Sequence, residues 1–219
     1  MMNKKLIIGL TAAALLILGV GYYFWNNSNT ESSSEIATNA GTEKPQFPSS
    51  LFTYPVIMTG SSTSTSDPES DGTFTIKLQD ENTWEMDFTA SEGSSGKLIY
   101  TEDASYVQNP EDGSWLKTPA NDEGSPLDDV TISEEDLAEY QHNSVYQGMQ
   151  SCASSECDAW LWTDPLNVNE SALIKVDAGG RILEVVATTS DAVVNISYDY
   201  DSPVSIQVPE DATEFGFPQ

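Results

Sequence analysis

From residue 51 onward, apolar side chains recur at every second position. In Thr73–Leu78, Phe74, Ile76 and Leu78 share one side. After the polar turn Asp80-Glu81-Asn82, Trp84, Met86 and Phe88 alternate with Glu85, Asp87 and Thr89. Period two with one apolar and one acidic side predicts a hairpin with one buried face. The pattern returns at Lys97–Thr101, Ser105–Gln108 and Ser114–Thr118, the last two joined by the turn Asn109-Pro110-Glu111-Asp112-Gly113. It resumes at Asp158–Thr163, with Trp160 and Trp162 on one side, and at Ala172–Val176. Asp177-Ala178-Gly179-Gly180 then turns into Arg181–Thr188, because glycine accepts positive φ. Ala192–Tyr200 aligns Val194, Ile196, Tyr198 and Tyr200, and Pro203–Pro209 reads as a short strand bounded by prolines, which suits an edge.

One stretch breaks the period. Ser133 is placed to cap a helix whose first turn carries Glu134, Glu135 and Asp136, where anions favour the helix dipole. Ile132 and Leu137 stand at the two staple positions. Leu137, Tyr140, Val145 and Met149 recur at helical spacing, with Gly148 near the expected end. The expected fold is mainly β (α+β): a curved antiparallel sheet or half-barrel packed against one helix or few helices over residues 51–213, with a tail at 214–219.

The first fifty residues follow another rule. Lys4-Lys5 precede an uncharged run over 6–25, LIIGLTAAALLILGVGYYFW. Twenty helical residues rise about 30 Å, the thickness of the hydrocarbon layer. Tyr22, Tyr23, Phe24 and Trp25 end the run as an aromatic girdle. This predicts a transmembrane signal-anchor, with residues 1–5 cytoplasmic, the membrane as partner and the domain outside in a single-pass arrangement. A cleaved export signal competes, with Gly19-Val20-Gly21 as its small-residue site, although four aromatics follow at once. Residues 26–50, rich in Ser, Thr, Asn and Glu without apolar period, read as a disordered linker.

Charge narrows the function. The chain holds 35 acidic and 8 basic residues, a net charge of −27. Binding a polyanion needs clustered Lys and Arg, so nucleic acid is excluded as a partner. Self-repulsion on this scale is screened by salt.

Three segments carry a family resemblance. They are Tyr106–Trp115, a strand-turn-Trp hairpin; Ala172–Asp177 followed by Gly180-Arg181-Ile182-Leu183; and Ile196–Tyr200 with Val204–Pro209. Together they resemble the LolA/LppX-like superfamily of exported lipid- and lipoprotein-binding proteins, whose unclosed β-barrel has a concave face covered by helices. The resemblance spans roughly residues 51–213 and implies a hydrophobic groove that shields an acyl chain. It brings no shared site residues. The chain departs from the family in having one clear helix and no cysteine after its apolar run. If a groove exists, Phe74, Ile76, Trp84, Met86 and Tyr140 are its expected lining, against the plainer expectation that the aromatics fill a core. A solid-core envelope interaction module is the alternative to a lipid-sheltering protein.

Candidate chemistry is sparse. Cys152 and Cys157 are the only cysteines; in an exported chain they predict a disulfide joining the helix end to the Trp160 strand. Zinc would need a third and fourth ligand, and His142 is the only histidine, expected on a solvent face of the helix. No Gly-x-Ser-x-Gly elbow occurs. Asp67–Gly72 begins like a calcium loop, but Leu78 stands where the bidentate Glu belongs. The expectation is a binding protein without catalytic residues, metal or cofactor.

Overall fold

The structure is a computed structural model in which residues 47–48, 53–67, 71–119, 134–152, 156–165 and 167–214 are described. Half-apolar strands must pair and bury one face together. The first run is β1 (Val56–Ser64), β2 (Gly72–Asp80), β3 (Thr83–Ala90), β4 (Ser95–Tyr100), β5 (Ala104–Gln108) and β6 (Trp115–Pro119). After helix α1 (Glu134–Asn143) come β7 (Ser144–Ser151), β8 (Glu156–Thr163), β9 (Ser171–Val176), β10 (Ile182–Thr188), β11 (Ala192–Asp199) and β12 (Thr213–Glu214). They form one open, curved sheet in the order β12-β6-β5-β4-β3-β2-β1-β11-β10-β9-β8-β7. Two antiparallel meanders thus meet at the β1–β11 seam, and β12 alone pairs in parallel, with β6.

Register places the apolar residues on one face, here called inner, against which α1 packs through Tyr140. Tyr146, Trp160, Ile174, Val185 and Ile196 are direct cross-strand partners, and the row continues across Gly60 to Phe74 and Phe88. Gly60 is required there: a Cβ would lie 2.3 Å from Phe74 Cζ and 2.6 Å from the Asn195 carbonyl oxygen. The absence of a side chain at Gly60 leaves the Phe74 ring its room beside the seam.

The opposite, outer face carries the strand lysines and their carboxylate partners. Lys77 and Lys97 both reach the buried Glu85, at 2.6 and 3.1 Å, and Lys175 meets Glu184 at 2.7 Å. A small second core lies on this side, where Ile99, Ala104 and Tyr106 are buried and Ile206 and Ala212 pack on them. The segment after β11 therefore crosses to the β4–β6 side before β12 joins β6.

Several expectations are corrected. The helix stops at Asn143 rather than running through Met149, because the β-branched and aromatic pair Val145-Tyr146 joins the ladder to β8. Gly148, at φ +87°, marks the register shift of that ladder. Val145 and Met149 are exposed and form no core stripe. Pro203–Pro209 alternates in burial but has no ladder partner among the described residues. The transmembrane signal-anchor over 6–25 is likewise corrected, and with it the membrane as partner and the single-pass placement. Among the described residues no helix is long and apolar enough to cross a membrane. α1, with 10 residues, rises only about 15 Å. Residues 6–25 themselves lie outside the described ones, as do most of 26–50. Phe47, inside the stretch read as linker, is buried against Trp160.

Candidate functional site

The inner face divides into two aromatic clusters. Over β1–β4, Met58, Ile76, Leu78, Trp84 and Met86 are buried together, with Phe74 packed against them. Trp84 stacks on Tyr100 at 5.5 Å between centroids and 13° between planes. Over β8–β10, Trp160, Trp162, Ile174 and Val176 are buried with Phe47. Here the rings meet edge-on or tilted: Phe47–Trp160 at 5.5 Å, Tyr140–Trp162 at 5.3 Å and Tyr146–Trp160 at 5.2 Å. Edge-to-face and offset pairs gain beyond their buried area.

Of the five residues expected to line a groove, Phe74, Ile76, Trp84 and Met86 come together in the first cluster. Tyr140 does not join them; it packs in the second, against Trp162. Tyr198, which is not one of those five, packs against both clusters, as its place in the alternation of Ala192–Tyr200 implies. Burial, with Tyr200 beside it, pushes the Tyr198 phenol far above the ordinary range. Burial also pushes Tyr200 up to about 12, against the pull of the Arg181 guanidinium 5.2 Å over its ring.

Polar groups on this face are few. The Tyr146 hydroxyl donates to Asp158 Oδ1 at 2.6 Å, and that bond raises the phenol's pKa. Among the described residues, Trp160 Nε1 and Ser144 Oγ are buried without a hydrogen-bond partner. Such groups are rare in folded proteins. Alternation places Trp160 on the apolar side, but neither Ser144 nor the lack of a partner for either group is visible in a pattern of alternation.

Cys152 and Cys157 form a disulfide, with Cα atoms 5.9 Å apart. It joins the end of β7 to β8, and so links two strands rather than a helix to a strand. His142 is exposed at the end of α1. Asp67–Gly72 falls partly outside the described residues; Asp71 Oδ1 accepts from the Ser64 amide at 2.6 Å. Among the described residues no group of three or more His, Cys, Asp or Glu side chains could hold a metal.

No protein-family model matches the chain, and no curated protein does. Solved structures are similar to it. LprF from Mycobacterium bovis has 15% identity and a TM-score of 0.48, covering 73% of this chain and 91% of its own. The lipoprotein LppX from Mycobacterium tuberculosis has 11% identity and a TM-score of 0.47, covering 70% and 91%. A LolA superfamily protein from Nitrosomonas europaea has 11% identity and a TM-score of 0.26, covering 73% and 90%. Both sides of the LolA/LppX resemblance are thus represented among the similar structures. None of these three reaches a TM-score of 0.5, and what the site can do follows from its own side chains.

Proposed function

We propose that this chain is a non-enzymatic, extracytoplasmic binding module that shelters a lipid or a lipoprotein acyl chain against the inner face of its sheet. The observation that carries the reading is the apolar row from Tyr146 to Phe88, which crosses eight strands in register. Ordered apolar surface of this extent suits an acyl chain, which has no polar group to satisfy along its length. The disulfide supports placement in an oxidising compartment outside the cytoplasm.

A second reading draws on the same face. Ile76, Leu78 and Trp84 are only 2%, 0% and 3% exposed. That burial favours a solid core and an interaction module that works through its surface.

Native mass spectrometry with lipid extraction, on the full chain expressed with export, separates the two. A lipid co-purifying at near one-to-one ratio, and lost in Met86→Lys with the far-UV spectrum unchanged, is expected for the sheltering reading. A bare protein mass with no uptake of a fluorescent fatty acid would transfer the case to the interaction module.

A further inference from the structure

We infer that the β7–β8 end of the inner face receives an uncharged acyl ester, whose carbonyl oxygen accepts hydrogen bonds from Trp160 Nε1 and Ser144 Oγ. The inference rests on the lipid-sheltering reading above and names the class of lipid.

Two independent observations meet here. The first is the unpartnered donor. Trp160 is 7% exposed, and its Nε1 has no partner among the described residues. An indole N–H can only donate, so what satisfies it must be an acceptor. Ser144 Oγ, equally unpartnered, lies on the neighbouring strand. Ser144 pairs with Trp162 and Tyr146 with Trp160, so Ser144 and Trp160 are diagonal neighbours on one face. Diagonal neighbours lie close enough to share one small polar group.

The second observation is the sign of the charges. By register Lys77, Lys97, Lys117 and Lys175 all sit on the outer face, paired opposite Glu85, Asp87, Tyr106 and Glu184. Arg181 is held by Asp177 in the β9–β10 turn, at 2.8 Å. The charged residues of β8 that share the inner register, Glu156 and Asp158, are acids, and Asp158 adjoins Tyr146 beside Trp160. A phosphate or carboxylate seated here would be desolvated next to a carboxylate, with no cation on the inner side of these strands among the described residues to offset the cost. A carbonyl ester satisfies the two donors and brings no charge.

The test uses the full chain and three probes of matched chain length: methyl oleate, oleate well above its pKa, and 1-octadecene. Relative binding is read by competition in native mass spectrometry. Methyl oleate is expected to bind at least roughly tenfold more tightly than oleate. Trp160→Phe and, separately, Ser144→Ala are each expected to weaken methyl oleate roughly fivefold, the size of one lost hydrogen bond. Both should leave 1-octadecene unchanged. A variant that no longer folds would lose 1-octadecene as well, and the other variant then decides. Equal binding of ester and carboxylate, or full ester affinity in both variants, overturns the inference while the sheltering reading stands. Failure of all three probes overturns both.

Discussion

The two faces of this sheet come from the same strands and solve opposite problems. On the inner face, neighbours are matched by shape: Phe74 lies over Gly60, Trp84 stacks on Tyr100, and Tyr198 closes the gap between the clusters. On the outer face they are matched by charge, as Glu85 is by Lys77 and Lys97. The difference teaches where a chain of net charge −27 keeps its few cations. The described strand lysines all stand on the outer ladder, so among the described residues only Arg181, already held by Asp177, brings a cation to the edge of the inner face.

The sharpest way to break the comparison is to delete one residue from each face. Trp84→Ala removes a buried indole and leaves a cavity beside Tyr100, and is expected to lower stability by about 3–5 kcal/mol. Lys97→Ala, on a side chain 27% exposed, should cost no more than about 1 kcal/mol. Urea denaturation of the two variants checks the contrast. Equal losses would mean that the outer ladder holds the first meander as firmly as the inner cluster does.

That asymmetry also decided what was legible beforehand. The β2–β3 hairpin was, since Phe74, Ile76 and Leu78 pair directly with Phe88, Met86 and Trp84. So were the Asp177–Gly180 turn and the cysteine pairing. β1 was not: its apolar residues stop at Met58, and Gly60-Ser61-Ser62 carries no alternation. Its place at the centre of the sheet depends on the Phe74 ring filling the space over Gly60, a contact made from another strand. β7 was hidden for the opposite reason. Tyr140, Val145 and Met149 fit a helical period, but pairing with β8 outweighed it. Four of the five expected lining residues cluster because they share a hairpin; Tyr140 lies apart because tertiary packing alone sets where α1 meets the sheet.

The β7–β8 hairpin is where the inner face is most easily disturbed, since β7 is an edge strand. Replacing both Cys152 and Cys157 with Ser is expected to cost about 2 kcal/mol, by freeing a short loop in the unfolded chain. Hydrogen exchange should then show β7 amides losing protection while β2 and β3 keep theirs. Uniform loss of protection would show instead that the hairpin supports the whole sheet.

Glu85 tests the outer face by pH. Burial raises its pKa, but the hydrogen bonds and charges of Lys77 and Lys97 outweigh that and hold it below its ordinary value of 4.5. A carboxyl with a lowered folded pKa adds stability above its unfolded value, and that stability is lost as pH falls through the folded one. Glu85→Gln should therefore cost about 1 kcal/mol near neutrality, with solvent screening at the lysines keeping the effect small. The gap from wild type should narrow as pH falls below 4.5. A gap that stays constant through acid would assign the effect to packing.

The smallest effect lies where the two faces meet. Arg181 covers the Tyr200 ring at 5.2 Å while its Nε donates to Asp177 at 2.8 Å. Arg181→Gln removes this cation from the aromatic edge, yet the turn keeps the amide hydrogen bonds that residues 179 and 181 donate to Asp177. The expected loss is about 0.5 kcal/mol, the lower end for a cation–π pair whose guanidinium is exposed. The phenol gives a second readout. Burial holds Tyr200 at about 12 and the guanidinium pulls it down, so its removal should move the ionisation still higher. Alkaline titration of ring-labelled tyrosine by NMR follows this residue directly. A Tyr200 signal that titrates at the wild-type pH in Arg181→Gln would mean that the guanidinium does not act on the inner aromatics, and that the separation of charge from the inner face extends to its edge.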